Sequence, residues 1–221
     1  IVATGERTAL PHGRPTSRKV KAHEPIMIDF GIQYQNYQSD MTRMCFIGEP
    51  DPKIKEIYDV VLKAQLAGLS AIKAGAKGKD VDKAARDVIE AAGYGEYFNH
   101  GLGHGLGIGE DGEGPTLNSK SETVLQEHMM MSCEPGVYVP GKYGIRTENM
   151  LICKKWQQNE YGAFLHFEPL TLVPIDLDGV DLSLFNEKEK QLLTDYQQFV
   201  YDTLSPHLNE EESAWLHTLT L

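Results

Sequence analysis

Apolar residues in the first fifty positions cluster and alternate at the short spacing of strands. Pro25-Ile26-Met27-Ile28-Asp29-Phe30 is an apolar run closed by Gly31, and Tyr34 to Ile47 carries the aromatic, threonine and apolar residues of a following antiparallel strand. A turn near Gln35-Asn36 joins the two into a ribbon. The period then changes. Asp51-Pro52 reads as a helix start, a capping side chain followed by proline at the first helical position. Ile54, Ile57, Tyr58, Val61, Leu62, Leu69 and Ile72 follow at helical spacing until Gly75. Asp80 is expected to cap a second helix, with the stripe Val81, Ala84, Ala85, Val88 and Ile89, ending at Gly93. Both helices are amphipathic and are expected to cover one face of a sheet. Residues 98–153 return to short strands broken by glycines, and Leu165 to Val173 reads as one more strand. Helical spacing resumes at Leu192, Leu193, Tyr196, Phe199, Val200 and Leu204, after the capping box Asn186–Glu189. Asn209–Glu212 repeats that signature before Ala214, Trp215 and Leu216.

Composition bounds the function classes. The chain has 221 residues, 41% hydrophobic and 24% charged, enough to bury a substantial core. A formal charge of −11 argues against a nucleic-acid backbone as partner. Arg14, Arg18, Lys19 and Lys21 are too few for a basic surface and read as a solvated turn. Cys45, Cys133 and Cys153 form no paired spacing, so no disulfide framework is expected and a reducing, cytoplasmic setting fits. No apolar run reaches the roughly 18 residues of a spanning helix, and no membrane partner is expected. Ile1-Val2-Ala3 reads like the inside of a strand, so the chain is expected to begin partway through a larger protein.

Four carboxylates and one histidine stand in short motifs. They are Asp29 in Ile-Asp-Phe-Gly, Asp40 in Ser-Asp-Met-Thr-Arg, His104 in Gly-His-Gly, Glu134 in Cys-Glu-Pro-Gly and Glu148 in Ile-Arg-Thr-Glu-Asn. Oxygen donors with a single imidazole suit two divalent cations sharing bridging carboxylates rather than a closed structural zinc site. Two such ions roughly 3.5–4 Å apart can hold a hydroxide and polarise a carbonyl, the machinery of metal-assisted amide hydrolysis. Cys133 sits beside Glu134, but strand alternation turns its thiol to the opposite face. Cys45 and Cys153 read as buried apolar residues, and Tyr138 suits either core or pocket. Glu110, Asp111 and Glu113 read as a solvated acidic loop.

The ordered set, together with Ala9-Leu10-Pro11-His12-Gly13, His100-Gly101-Leu102-Gly103-His104-Gly105, Glu134-Pro135-Gly136-Val137-Tyr138 and Gly144-Ile145-Arg146-Thr147-Glu148-Asn149, resembles the pita-bread metallopeptidases. That family includes aminopeptidase P, prolidase and methionine aminopeptidase, and the resemblance runs over essentially the whole chain. The Gly-Ile-Arg-x-Glu-Asn and Glu-Pro-Gly-x-Tyr forms resemble its proline-specific branch. The tail from Phe164 to Trp215-Leu216 is similar to that of the longer aminopeptidases P. The resemblance implies an α+β fold, a curved antiparallel sheet with flanking helices, lacking the N-terminal part of the domain. It implies a dimetal peptidase domain over 1–175 and a helical extension over 176–221, packed on the domain or at a dimer interface.

The implied activity is that of an Xaa-Pro aminopeptidase acting on proline-containing peptides. The alternatives are an Xaa-Pro dipeptidase or a catalytically weak binding protein. The implied cofactors are two divalent ions, manganese before cobalt or zinc. Asp29 binds one, Asp40 and Glu148 bridge both, and His104 and Glu134 complete the other, with Glu134 as general base. His12 and His100 contact substrate or intermediate, and Arg146 orients carboxylates from the same expected strand as Glu148. One departure stands out. The family usually carries a histidine in a His-Glu-x-Pro string where this chain has Gly112. Loss of such a donor commonly costs on the order of 10²–10³ in turnover.

Overall fold

The structure, a computed structural model, describes residues 1–71, 75–108 and 114–220. Strands β2 (Pro25–Phe30) and β5 (Met41–Phe46) pair antiparallel with Asp29 opposite Thr42, and β1 (Val2–Thr4) flanks β2. The ribbon continues outward through β3 (Gln33–Tyr34) and β4 (Tyr37–Gln38). Its turn is at Gln35-Asn36, where φ is 48° and 69°. Positive φ at both central residues is the mirror-image turn whose twist matches its strands. The ribbon expected from sequence is therefore present, turn included.

A second antiparallel sheet runs β6 (Met130–Cys133), β9 (Asn149–Asn159), β10 (Gly162–Pro169), and β7 (Gly136–Val139) pairs with β8 (Tyr143–Arg146). Strand β10 begins and ends earlier than the apolar pattern suggested, closing at Pro169, which has no N–H to continue a ladder. Isolated bridges between Thr42 and Glu148, and between Gly105 and Met131, stitch the sheets together.

Helix α1 (Pro52–Ser70) starts where Asp51 caps the amide of Lys53 at 2.8 Å. It buries Ile54, Ile57, Tyr58, Val61 and Leu62 against β6–β8 and against α2 (Gly78–Ala91). Ile72, also expected on this stripe, lies outside the described residues. Asp80 is not the cap of α2. The helix begins at Gly78, and the Asp80 carboxylate, a turn inside, accepts from the backbone of Lys77. Two helices close the chain, α3 (Glu187–Leu204) and α4 (Glu210–Thr220), each opened by the reciprocal asparagine–glutamate box expected from sequence. Helix α3 lies on the domain. Its Gln197 brackets the backbone of Ile175 at 3.0 and 3.1 Å and holds Leu219 of α4 at 2.9 Å.

Candidate metal centre

The β2–β5 register assembles the first half of the site. Residues directly opposite share a face, as do residues two apart on one strand. Asp29, Thr42 and Asp40, which immediately precedes β5, therefore project the same way. The chain leaves β2 at Gly31, where a Cβ would collide with the carbonyl of Ser39, so only glycine lets the two arms close. Glu148 enters from the β8–β9 junction. Its amide donates to the Thr42 carbonyl at 3.1 Å, and its Oε2 accepts from Thr42 Oγ1 at 2.7 Å. Arg146 and Glu148 were expected on one strand. Strand β8 in fact ends at Arg146, and Glu148 sits beyond it in a separate bridge.

The glycine-rich segment supplies the histidines. Gly103 crosses β6 so closely that a side chain would strike the Ser132 carbonyl. This places the His104 amide 3.0 Å from Ser132 Oγ, which in turn donates to Glu134 Oε1 at 3.1 Å. The segment is held from behind by α2. Asp82, buried, accepts from the Leu102 amide at 3.0 Å and pairs with Arg86 one turn on. Arg86 donates to the carbonyls of Phe98 and His100 at 2.9 and 2.8 Å.

All eight residues singled out from the sequence, His12, Asp29, Asp40, His100, His104, Glu134, Arg146 and Glu148, line one cavity of about 1070 Å³. Donor atoms of Asp40, His104 and Glu148 lie within 4.8 Å of one another. His104 Nε2 is 3.3 Å from Glu134 Oε1 and 3.8 Å from Asp40 Oδ2. His104 Nδ1 lies 3.1 Å from the Gly105 carbonyl, which can only accept, so that nitrogen donates and Nε2 is the ring nitrogen facing the carboxylates. Asp29 stands apart from the tight group, its Oδ2 taken by Arg146 Nη2.

The electrostatics favour a cation. Burial first, then repulsion from Glu134 and Asp40, pushes the Glu148 carboxyl well above its usual range. Burial likewise raises Glu134. Glu148 Oε1 is buried with no hydrogen-bond partner, a costly arrangement for a carboxylate. A buried orphan oxygen, two more carboxylates and a lone imidazole nitrogen make a donor set that fits hard divalent ions.

His100 lines the same cavity, with both ring nitrogens held by hydrogen bonds. Its Nδ1 lies 2.7 Å from the Gly101 carbonyl and so donates, leaving Nε2 to accept from Tyr138 Oη at 2.9 Å. Burial pushes its pKa down to about 4, so the ring is neutral near pH 7. Tyr138 Oη also accepts from Arg146 Nη1 at 3.0 Å, and Arg146 donates further to Thr42 Oγ1 at 2.9 Å and the Pro11 carbonyl at 3.2 Å. That last bond tethers the loop carrying His12, which is exposed at the cavity mouth. The Cys133 thiol faces Gly68 of α1, and burial pushes its pKa up, as befits packing. Cys153 is buried, whereas Cys45 keeps partial exposure. Gly112, with Glu110, Asp111 and Glu113, lies outside the described residues.

Several supporting residues escaped the sequence reading. Thr42 and Ser132 are ordinary strand residues until their register is known. Asp82 and Arg86 look like a solvated i, i+4 pair. Arg43 carried a signal, its place in the Asp40 motif. It is buried and donates to the carbonyls of Thr42, Glu148, Val173 and Pro174, to Asn149 Oδ1 and to Tyr196 Oη, all within 2.7–3.0 Å.

Residues 1–155 match metallopeptidase family M24, and residues 163–221 match the C-terminal region of that family. The chain belongs to metallopeptidase family M24. Over 155 residues it is 44% identical to the Xaa-Pro dipeptidase of Pyrococcus horikoshii, covering 70% of this chain and 44% of that protein. The crystal structure of an X-Pro aminopeptidase from Thermotoga maritima superposes with a TM-score of 0.71 at 44% identity, over 79% of this chain and 47% of that one. The X-prolyl aminopeptidase of Caenorhabditis elegans, described as a cytosolic enzyme with a di-nuclear active site, superposes over 100% of this chain and 38% of its own, with a TM-score of 0.90 at 31% identity. The fold is thus the pita-bread fold of M24 peptidases, and the chain spans less than half the length of these relatives. No described helix is long and apolar enough to cross a membrane.

Proposed function

We propose that this M24 chain removes the N-terminal residue from peptides with proline in the second position, using two divalent cations, manganese foremost, on the acidic floor of the cavity. The observation that carries the reading is the convergence of eight residues, distant in sequence, on one hollow. The aminopeptidase reading draws further support from the C. elegans enzyme, whose likeness extends through the C-terminal helices. Bound cations would supply an activated water and polarise the scissile carbonyl. Asp40 and Glu148 would hold both, Asp29 would serve one, and His104 with Glu134 would serve the other. Thr42 holds Glu148, and Arg146 holds Asp29. Glu134 would accept the proton of that water. His12, at the mouth, donates to the substrate carbonyl, while His100 positions Tyr138 and the loop behind it. Residues 176–221 form an extension docked on this catalytic domain, and the working form is a cytoplasmic homodimer, which size-exclusion chromatography tests.

A panel of Xaa-Pro dipeptides and Xaa-Pro-Xaa tripeptides, assayed with and without manganese, tests the activity. Metal-dependent release of the first residue from tripeptides is expected. Cleavage of dipeptides alone would transfer the chain to the dipeptidase reading, which its 44% identity to the P. horikoshii enzyme favours. Full metal occupancy without hydrolysis would leave a metal-binding protein, and a large gain of rate in Gly112→His would then locate the defect.

A further inference from the structure

The sequence places Arg14 in a solvated turn, but the structure puts Arg14 and Arg7 in the lining of the active-site cavity. The pair is linked, Arg7 Nη2 donating to the Arg14 carbonyl at 2.8 Å. Several basic side chains of this acidic chain are matched with carboxylates, as with Arg18 to Glu6 and Glu24, Lys83 to Asp87 and Lys154 to Glu168. Among the described residues neither Arg7 nor Arg14 has a carboxylate partner, although the chain carries 32 acidic residues against 21 basic ones. Both arginines line the same cavity as the carboxylates of Asp29, Asp40, Glu134 and Glu148. A peptide held for removal of its first residue is polarised in the matching sense, with its ammonium toward the floor and everything after proline toward the mouth.

We propose that Arg7 and Arg14 form a carboxylate-reading mouth that selects peptides with an anionic group downstream of proline, from an acidic side chain or from the peptide's own C-terminus. This rests on the peptidase reading above and narrows its substrate class. Guanidinium forks match carboxylates in a bidentate way, and a cleft focuses the field of its own charges, which raises two partly exposed arginines above the small worth of an isolated surface pair.

The test compares kcat/KM for Ala-Pro-Glu-amide and Ala-Pro-Gln-amide, and for Ala-Pro and Ala-Pro-amide, with the manganese-loaded protein. Calorimetric binding of Pro-Glu-amide and Pro-Gln-amide serves as a readout independent of turnover. The anionic member of at least one pair is expected to be favoured by about tenfold at low salt, with the preference shrinking near about 0.5 M salt. Preference within the first pair assigns the side chain as the source, and preference within the second assigns the C-terminus. The ratio should fall to about one in R7Q/R14Q. It should fall most of the way in R14Q, whose lost side chain makes no hydrogen bond among the described residues. R14E should favour Ala-Pro-Lys-amide instead. Equal cleavage within both pairs and equal binding of both products overturn the mouth and leave the peptidase reading standing. No cleavage of any peptide, with Pro-Glu-amide still bound in preference, overturns the peptidase reading and supports the mouth.

Discussion

Glu148 shows how a single side chain ties stability to cation binding. Its Oε2 is satisfied by Thr42, its Oε1 is buried without a partner, and Glu134 and Asp40 crowd it with like charge. A ligand that binds only the folded state at a hundredfold above its dissociation constant stabilises it by about 2.7 kcal/mol. For a chain of this size that is about 5–11 °C in Tm. Manganese is therefore expected to raise Tm by that order in differential scanning fluorimetry. Glu148→Gln should lose most of the response while its metal-free Tm stays at or above that of the parent. A parent Tm indifferent to manganese would remove the metal centre from the argument. Asp59 on α1 makes a different case, outside the lining of the metal-centre cavity. One of its oxygens accepts from the Asp181 amide at 3.1 Å, the other is buried and unpaired, and burial pushes its pKa up to about 6. A raised carboxyl pKa stabilises the fold fully below the unfolded value near 3.8 and ceases to do so as pH climbs through about 6. Asp59→Asn should therefore flatten the fall in Tm between pH 4 and about 6.5, raising Tm at pH 7.5 and leaving pH 4 nearly unchanged. An identical pH profile in parent and variant would show that Asp59 is not the group responsible.

At the scale of elements, α2 is the part that aims the glycine-rich segment. Asp82 and Arg86 fix the backbone of Phe98, His100 and Leu102, so the histidines owe their position to a helix that contributes no ligand. Removing one partner of a buried pair strands the other, at a typical cost of about 3–5 kcal/mol. Asp82→Ala should lose stability on that scale in urea denaturation and weaken manganese binding, although residue 82 touches no cation site. An exposed cap makes a useful contrast. Asn186→Ala should cost only about 1 kcal/mol, or about 2–4 °C, with manganese affinity unmoved. These two positions also mark what could be read from the chain. The box Asn186–Glu189 was legible because capping chemistry is local. Asp51-Pro52 was legible for the same reason. Asp80 was misplaced because an acidic residue serves equally at the cap or three residues inside it, and only backbone geometry separates the two. Asp82 and Arg86 were illegible as a pair because i, i+4 spacing says nothing of which face is buried.

At the scale of the whole molecule, Arg43 joins the parts. From β5 it reaches the Glu148 junction, the segment at Val173-Pro174 and Tyr196 of α3, so one guanidinium spans the metal centre and the C-terminal helices. This explains which part of the site could be read beforehand. The cavity residues were named because each stands in a short motif with its own chemistry. The Gln35-Asn36 turn sets the register of Asp29 against Thr42, but the bridge of Thr42 to Glu148, 106 residues away, is one that no local pattern encodes. Arg43 lay inside a motif yet gave no hint of its reach, because its acceptors are mostly backbone carbonyls. Tyr196 Oη lies 2.8 Å from the Val173 carbonyl as well, so the helix, the segment and the strand share one network. If the network couples them, the C-terminal helices cannot unfold independently of the site. Arg43→Leu keeps the apolar stem but takes a donor from six acceptors, of which the Thr42 and Val173 carbonyls keep another, each bond left unmet costing about 1–3 kcal/mol where water cannot enter. Partial relaxation should hold the net loss to about 3–5 kcal/mol. Hydrogen exchange then separates two outcomes. Coupled elements would show α3 and the Thr42–Glu148 bridge losing protection together, with manganese restoring both. Loss confined to α3, with protection at Glu148 intact, would make the helices an independently opening unit and Arg43 a local anchor.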